Sequence, residues 1–254
     1  MTDDESRRLI MEEPWGPNTP QEFEDYDRSE SPDVDIGLEG GGSVDFVEFG
    51  YEDSETDYPL EVNSTERASL IGSFQTVFTD ENSPYDENWD YETTNGFLDW
   101  TSGQDYEGIL AVDDGKVVGF SWGYRVDPEE VDVDEKFPDE LQELDQDIYD
   151  GETFMIDEVG VMPEYRGQGV ATELESGLLE KIDEREDVSR VMQRTQWSGE
   201  NTGKLYLDGK MGFQAFLIGE DNDPVTQEVE FVGKDGSDER IYLGQELEGE
   251  KPWK

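Results

Sequence analysis

The chain has 254 residues, of which 68 are acidic and 18 basic, and it contains no cysteine and no histidine. These absences exclude disulfides, thiolate metal sites, a cysteine nucleophile and an imidazole base, so any proton acceptor must be a carboxylate, an amine or water. The formal net charge of −50 disfavours nucleic acid as a partner, because no basic patch can displace its counterions.

The acidic composition also sets the conditions under which the chain folds. Only 33% of the residues are hydrophobic, and at low salt this much negative charge would oppose compaction. Near molar salt the Debye length falls to about 3 Å, and the carboxylates no longer repel one another across the surface. We therefore expect a halophilic protein whose acidic residues solvate its whole surface.

Neither a membrane span nor an export signal is predicted. No segment approaches the roughly 20 consecutive apolar residues of a transmembrane helix, and the N-terminal stretch MTDDESRRLI lacks a signal-peptide core. We expect a cytoplasmic protein without a membrane partner, and we assign no metal to it.

The N-terminal part of the chain contains a tail, a strand and a helix. Residues 1–43 are acidic and end in Gly-Gly-Gly-Ser, so we predict a disordered tail. Alternating apolar residues from 44 to 49 predict a first strand. Ser64 or Thr65 can cap a helix whose apolar residues are Leu70, Ile71, Phe74, Val77 and Phe78. Residues 80–106 show no clear periodicity, and their aromatic side chains either line a pocket or pack under a loop.

A hairpin and an acidic insertion follow. Two apolar runs, 109–112 and 116–122, flank Asp113-Asp114-Gly115, which predicts two antiparallel strands joined by an Asp-Gly turn. Residues 128–151 form an acidic insertion with weak helical spacing. This insertion is either a lid over a binding site or a solvated excursion.

The next stretch reads as an apolar strand at 154–161, a polar loop at 162–168 and an amphipathic helix from Gly169. The predicted buried stripe of this helix is Val170, Leu174, Leu178 and Ile182, joined by Ala171 and Leu179. The acids expected to face water are Glu173, Glu175, Glu180 and Asp183. Gly167 and Gly169 let the backbone turn and leave the first helical amides uncovered, and Arg166 adds a cation. The loop therefore predicts an anion site.

The rest of the chain is predicted as alternating strands and a short helix. We expect a strand at 188–197, a helix at 201–211, a strand at 214–219, and strands 227–232 and 240–243 as a hairpin around Lys234-Asp235-Gly236. Between Val188 and Leu207 the sole acidic residue is Glu200. Because carboxylates at short range would repel phosphate groups, we interpret this stretch as a second wall of the anion-binding surface.

The run from Val161 to Ala171, VMPEYRGQGVA, contains the pattern R/Q-x-x-G-x-G/A and resembles the GCN5-related N-acetyltransferase (GNAT) superfamily. It lacks the Gly-Lys-Ser/Thr ending of a Walker loop and the glycine spacing of a dinucleotide fingerprint. The resemblance implies an α/β (mixed α+β) GNAT fold in residues 44–247, with a central mixed, mostly antiparallel sheet of six to seven strands flanked by helices. Residues 128–151 are then an insertion in this domain, and residues 248–254 a C-terminal tail.

The same resemblance implies acetyl-coenzyme A as co-substrate. Its pantetheine arm would pair with the strand backbone at Val159, Gly160 and Val161, where Gly160 permits a close backbone approach or a bulge. Its pyrophosphate would lie on the loop formed by Arg166, Gly167, Gln168, Gly169, Val170 and Ala171. Asn201, which begins the last motif of the family, would border the coenzyme.

Acetyl transfer from a thioester to an amine needs a deprotonated amine, a polarised carbonyl and a proton for the departing thiolate. Similar Ile-Asp-Glu strands occur in family members that act on small amines, where the carboxylate orients the amine or takes its proton. Asp157 and Glu158 are neighbours in a strand and point to opposite faces, so at most one of them points at the acceptor. We favour Glu158 over Asp157; a salt bridge or a plain surface position is the structural alternative.

The family motif ends in N-x-x-A-x-x-x-Y-x-x-x-G-F, and its tyrosine protonates the thiolate. Here the asparagine and the Gly-Phe pair keep the spacing, but Asp208 stands at the tyrosine position and Lys204 at the alanine position. Tyr206, two residues earlier, is either the general acid on a helix made irregular at Gly209 or a packing residue. If it is not the acid, solvent or Tyr165 serves.

We interpret the chain as an acetyl-coenzyme A-dependent N-acetyltransferase that acts on a primary amine of a small molecule or peptide. The alternative is a non-catalytic acyl-coenzyme A-binding sensor or interaction module, indicated by the displaced tyrosine and the acidic extensions. A protein-modifying enzyme whose insertion receives a basic peptide is a weaker third possibility. Neither the acceptor nor the oligomeric state follows from the sequence.

Overall fold

The computed structural model describes residues 44–50, 65–79, 89–126, 152–196, 202–215, 217–218, 230–231, 240–248 and 251–253. The predicted tail, the acidic insertion and the predicted turn at 234–236 lie outside these residues. The chain divides into two compact units. We call them the central unit, whose described residues lie between 44 and 125 and between 156 and 185, and the terminal unit, whose described residues are Val126, 152–155 and those from 186 onwards.

The described residues form a mixed α/β fold, and seven of their nine strands belong to the main sheet. The strands are β1 (Asp45–Gly50), β2 (Tyr106–Asp113), β3 (Lys116–Arg125), β4 (Thr153–Val161), β5 (Arg190–Gln196), β6 (Gln214–Ala215), β7 (Leu217–Ile218), β8 (Glu230–Phe231) and β9 (Arg240–Glu246). The helices are α1 (Thr65–Thr79), α2 (Tyr91–Thr101), α3 (Val170–Asp183) and α4 (Thr202–Lys210). This confirms the predicted fold class. None of these four helices is long and apolar enough to cross a membrane.

In the central unit the strands follow the order β1-β2-β3-β4. β1 and β2 pair antiparallel, with Phe46 opposite Ala111, and β2 and β3 pair antiparallel as a hairpin. Asp114 and Gly115 form the turn with φ angles of 49° and 76°, both positive as a two-residue type I′ turn requires. The predicted Asp-Gly hairpin is confirmed.

Helices cover both faces of these strands. Phe74 of α1 stacks on Phe120 of β3, with ring centroids 5.5 Å apart. The neighbouring Gly119 faces the other way, where an added Cβ would lie 3.0 Å from Leu174 Cδ1 of α3. Because side chains alternate along a strand, α1 packs on one face of β3 and α3 on the opposite face.

Helix α1 is fixed to the sheet by polar and apolar groups. The Val117 N–H donates to Ser69 Oγ at 2.9 Å, and the Ser73 hydroxyl, one turn later, donates to the Val117 carbonyl. The predicted apolar residues are all buried: Leu70, Ile71, Phe74, Val77 and Phe78. Thr65 is the first helical residue rather than the cap, and Ser64 lies outside the described residues.

Helix α2 lies where the sequence shows no clear periodicity. It begins after Asp90, whose carboxylate accepts the Thr93 N–H at 2.8 Å, and this cap satisfies a first-turn donor. The Phe97 ring lies 5.9 Å from that of Phe74, and Trp100 meets Tyr124 of β3 edge-on. These ring contacts support the packing alternative for this aromatic stretch.

A buried arginine joins α1 to α2. Arg67 is only 2% exposed, and its guanidinium donates to the Asp99 carboxylate at 2.6 Å and to the Asn95 side-chain oxygen at 3.0 Å. A buried charge is stable only when it is paired and hydrogen-bonded. The two helices are therefore held together by this arginine as well as by their aromatic rings.

Helix α3 buries the predicted stripe, Val170, Leu174, Leu178 and Ile182. It approaches β2 closely at Gly177, where an added Cβ would lie 2.7 Å from Ile109 Cδ1. The prediction that Glu175 faces water is wrong, because this residue is fully buried. Leu179, which the prediction joins to this stripe, is buried as well.

Charged side chains hold the far end of α3 against β2. Lys181 Nζ lies 3.0 Å from the Glu107 carboxylate. Arg185, just after the helix, donates to both carboxylate oxygens of Asp105 at 2.9 and 2.7 Å, and Arg125 of β3 donates to the same Asp105 at 2.8 Å. The C-terminal end of α3 is therefore fixed by ion pairs, and its N-terminal end by apolar contacts.

In the terminal unit the strand order is β4-β5-β9-β6. β5 and β9 pair antiparallel from Arg190 opposite Glu246 to Gln196 opposite Arg240, and β6 pairs with the other edge of β9. β8 pairs with β7 in a separate two-stranded sheet. The predicted hairpin of 227–232 with 240–243 is wrong for the described residues, because β8 pairs with β7 while β9 pairs with β5 and β6.

Candidate functional site

The loop between β4 and α3 begins with a fixed backbone. The Met162 N–H donates to the Val118 carbonyl of β3 at 2.9 Å. Pro163–Tyr165 then form a 3-10 turn, closed by the Arg166 N–H, which donates to the Pro163 carbonyl at 3.3 Å. Proline suits the first position of this turn because an N–H there would have no partner within it. The chain is thus held against β3 before it reaches the glycines.

Two glycines shape the remainder of the loop. Gly167 has a φ of 71°, and Gly169, the residue that precedes α3, has a φ of 83°. These left-handed conformations are strained for residues with a side chain. The backbone path therefore favours glycine at 167 and 169, the two residues that the sequence predicts to let the backbone turn.

The N-terminus of α3 has no side-chain cap. Glu173 is the first residue whose N–H donates back across a full turn, to the Gly169 carbonyl at 3.1 Å. The amides before it are the first-turn donors that every helix leaves without an intrahelical partner. They lie at the positive end of the helix dipole, which is the arrangement that binds phosphate groups.

Arg166 is exposed and anchored. Its Nε donates to the Val161 carbonyl, the last of β4, at 3.0 Å. This bond fixes the guanidinium between the end of the strand and the glycine loop. A fixed cation beside uncapped amides is what the predicted anion site requires.

Two further hydrogen bonds hold the loop in shape. Gln168 Nε2 donates to the Glu164 carbonyl at 2.9 Å, and the Tyr165 hydroxyl donates to the Asp113 carboxylate of β2 at 2.7 Å. The bond to Asp113 raises the pKa of the Tyr165 hydroxyl because it stabilises the protonated form. Tyr165 is thus a poorer acid than an ordinary tyrosine, which weakens its candidacy as proton donor to a thiolate.

Strand β4 requires glycine at position 160. A Cβ added there would lie 2.4 Å from Phe120 Cζ and 3.0 Å from Val77 Cγ1. The aromatic packing beneath α1 therefore takes the space that any side chain would need. Val159 beside it is half-buried and Val161 is buried, so the three predicted pantetheine-contact residues form the last, closely packed part of the strand.

Asp157 and Glu158 lie in β4, which has one residue more than the segment of chain that faces it. The Val126 N–H donates to the Thr153 carbonyl at 2.8 Å, whereas the Met162 N–H donates to the Val118 carbonyl. Between these bonds β4 advances one residue more than the facing segment, so it contains a bulge. Asp157 and Glu158 lie within this stretch, and both are half-buried. Because a bulge resets the alternation of side chains, both remain candidates for contact with an acceptor.

The other predicted site residues belong to the terminal unit. Asn201 lies outside the described residues, and Tyr206 is described only as part of α4, so the roles assigned to both stay predictions. α4 runs from Thr202 to Lys210 and includes Gly209. Lys204 donates to Gln193 of β5 at 2.8 Å and pairs with Asp208, which is fully buried.

Sequence reasoning missed Asp113 as a site residue and treated it only as part of a turn. The alternation of side chains along β2 could have placed Asp113 on the face of the sheet that α3 covers. Ile109 meets α3 at Gly177, so Asp113, four residues later on the same strand, lies on the α3 face. Within the described ranges, no cluster of three or more acidic side chains could hold a metal ion.

One protein-family model matches the part of the chain that contains the site. The model described as the Acetyltransferase (GNAT) family matches residues 74–213, a range that includes β4, the glycine loop, α3 and α4. No curated protein matches the chain in sequence.

Three solved structures that resemble the chain bear the name acetyltransferase. The ribosomal-protein-S18-alanine N-acetyltransferase from Escherichia coli is 13% identical, with a TM-score of 0.48, 81% of this chain covered and 96% of that one. A putative acetyltransferase from Salmonella typhimurium, solved with its cofactor acetyl-CoA, is 11% identical, with a TM-score of 0.48 and the same coverage. An N-acetyltransferase from Staphylococcus aureus Mu50 is 10% identical, with a TM-score of 0.49, 80% of this chain covered and 99% of that one.

Proposed function

We propose that this chain, which belongs to the GNAT family of acetyltransferases, is an acetyl-coenzyme A-dependent N-acetyltransferase acting on an amine of a small molecule or peptide. The observation that carries the proposal is the uncapped N-terminus of α3, reached through two glycines with positive φ. Uncovered first-turn amides favour a multiply charged anion over a neutral ligand. The pyrophosphate of coenzyme A is such an anion.

The residues around this loop have separable tasks in the proposed reaction. Gly167 and Gly169 expose the amides, and Arg166, fixed on the Val161 carbonyl, adds positive charge for the phosphates. The bulged part of β4 supplies two carboxylates, Asp157 and Glu158. One of them would orient the acceptor ammonium and take its proton, as a general base does when histidine is absent.

Acetyl transfer itself is a substitution at the thioester carbonyl. The amine nitrogen bonds to the carbonyl carbon, the carbon–sulfur bond breaks, and the thiolate leaves with the bonding electron pair. The proton lost by the amine goes to the carboxylate of β4, and the thiolate takes a proton from Tyr206 or from solvent. Net, an amine and a thioester become an amide and a thiol.

Titration calorimetry in molar potassium chloride tests coenzyme binding. We expect Gly167→Asp to weaken acetyl-coenzyme A binding about tenfold or more, since its carboxylate would stand next to the phosphates. Gly167→Asn, which tolerates positive φ equally well, should lose much less. Gly96→Asp adds the same charge at an exposed helix position with open space around it and should bind as the wild type does. No binding by the wild-type protein, or equal affinity of all three variants, would overturn the proposal.

One observation favours a second candidate, a non-catalytic acyl-coenzyme A-binding module. Asp208, at the position of the family tyrosine, is fully buried and paired with Lys204, and an ionised carboxylate cannot protonate a thiolate. Thiol release from acetyl-coenzyme A with a panel of amines separates the two functions. Amine-dependent release excludes the module, whereas binding without release across the panel supports it.

We further propose that the protein is halophilic, on the basis of its charge of −50. Circular dichroism should show loss of the folded signal on dilution from molar to millimolar salt, because carboxylate repulsion is then no longer screened. A fully folded protein at low salt would contradict this.

A further inference from the structure

We propose that Asp113 and Tyr165 form a latch that positions the glycine loop for the phosphates of the coenzyme, so that both are positioning residues for coenzyme binding. The inference rests on the proposed function. It adds two residues, one of them on a strand distant in sequence, to a site otherwise built from β4, its loop and α3. The latch joins the Tyr165 hydroxyl to an Asp113 carboxylate oxygen at 2.7 Å.

Tyr165 is placed where a fixed side chain controls the loop. It ends the 3-10 turn, and its own N–H donates to the Met162 carbonyl at 2.9 Å. The next residue is Arg166, followed by Gly167 at a φ of 71°. A glycine loop is free to adopt many conformations, so a bond just before it reduces the freedom that binding would otherwise have to remove.

Asp113 is equally fixed on its own side. It is the last residue of β2 and pairs with Lys116 across the type I′ turn. The register between β2 and β3 shifts just before it, but the extra residue lies in β3, where Val117 and Gly119 face the consecutive residues Val112 and Ala111. The alternation along β2 therefore continues to Asp113. The hairpin therefore fixes the position of the carboxylate that accepts the bond from the loop.

The bond and the charge of Asp113 can be separated experimentally. An asparagine at 113 keeps an oxygen that accepts the tyrosine proton but carries no charge, and it lies in the same unstrained strand position. An alanine removes both. If the latch acts through geometry, asparagine should retain more coenzyme affinity than alanine. If it acts only through charge, both substitutions should have the same effect.

Calorimetric titrations in molar potassium chloride with acetyl-coenzyme A and with S-acetylpantetheine, which lacks the phosphates, test the latch. We expect Tyr165→Phe and Asp113→Ala each to weaken acetyl-coenzyme A binding about threefold to tenfold, as loss of one charge-assisted hydrogen bond can. The double variant should be no weaker than the single ones, since both remove the same bond. Affinity for S-acetylpantetheine should not change.

Asp113→Asn, which keeps an acceptor for the tyrosine proton, should lose less affinity than Asp113→Ala. Asp114→Asn, which removes a carboxylate from the adjacent turn position, is the matched control and should bind as the wild type does. Wild-type affinity in Tyr165→Phe, or an equal loss for both ligands, would overturn the latch while leaving coenzyme binding intact. Failure of the wild-type protein to bind acetyl-coenzyme A would instead overturn the proposed function, and the latch with it.

Discussion

Helices α2 and α3 of the central unit begin in opposite ways. α2 is preceded by Asp90, whose carboxylate accepts the Thr93 N–H at 2.8 Å. α3 is preceded by Gly169 in a left-handed conformation and has no capping side chain. One N-terminus satisfies a first-turn donor with its own side chain, whereas the other leaves its donors to something outside the helix.

The contrast shows that an anion site at a helix N-terminus depends on the absence of a capping side chain as well as on the helix itself. Both helices have a dipole and unpaired first-turn amides. A side-chain cap at α2 competes for those amides, and at α3 there is no such competitor. The same chain therefore contains a bound N-terminus and an available one, and exchanging their caps tests which property matters.

The largest effect is expected from placing a carboxylate at the start of α3. In Gly169→Asp, the new carboxylate would stand beside the first-turn amides and repel phosphate, so acetyl-coenzyme A affinity should fall by about 100-fold or more in calorimetry. The reverse change, Asp90→Gly, should lower the unfolding temperature slightly and leave affinity unchanged. Retained binding in Gly169→Asp would show that the helix terminus is not the coenzyme site.

A smaller effect is expected at the C-terminal end of α3, which ion pairs hold in place. Asp105→Asn should lower the free energy of unfolding by about 1 kcal/mol, since Asp105 is only partly exposed and bonded to Arg185 and Arg125. Urea unfolding in potassium chloride measures this. Coenzyme affinity should not change, so a parallel loss of affinity would contradict a separation of stability and binding along this helix.

The same ion pairs predict a dependence on pH. Burial alone would raise the pKa of Asp105, but hydrogen bonds and charge from Arg185 and Arg125 outweigh it and hold the pKa below its usual value. The folded pKa is thus below the unfolded one, so this contribution is present above the unfolded pKa and is lost as pH falls through the folded pKa. The difference in unfolding temperature between wild type and Asp105→Asn should therefore shrink on acidification; a constant difference would argue against the pairing.

The smallest effect should appear at the two N-termini themselves. The hydrogen bonds from the Thr93 backbone and side chain lower the pKa of Asp90, so protonation at acid pH removes the α2 cap. The Thr93 amide resonance should therefore move on acidification through that pKa, while the Glu173 amide of α3, bonded to the Gly169 carbonyl, should not follow it. Nuclear magnetic resonance titration in potassium chloride checks this.

The sequence predicted the glycine loop because its requirements are local. Consecutive residues of the sequence show all of them: an apolar run that predicts the strand, glycine at 167 and 169, and an apolar periodicity that predicts the helix. α2 escaped prediction because its stability depends on distant partners. Phe97 and Trp100 stabilise this helix by packing against Phe74 and Tyr124, which are distant in sequence.

The second source of error was the assignment of which strands pair with each other. β9 reads as half of a hairpin from its neighbours in sequence, yet its pairs are β5 and β6, and no local pattern records which edge a strand will meet. The burial of Glu175 and the bond from Tyr165 to Asp113 have the same origin, since each depends on a contact between segments far apart in the chain. The roles of Asp157, Glu158, Asn201 and Tyr206 stay predictions.

The two serines of α1 have a mechanical consequence. Ser69 and Ser73 hold the N–H and the carbonyl of one residue, Val117, from consecutive helical turns. A slide of α1 along its axis by a single residue would break both bonds at once, so the helix has one permitted register on β3. Any movement of α1 that accompanies ligand binding must then be a tilt about Val117, or must carry the β2–β3 hairpin, and with it Asp113, along as a single body.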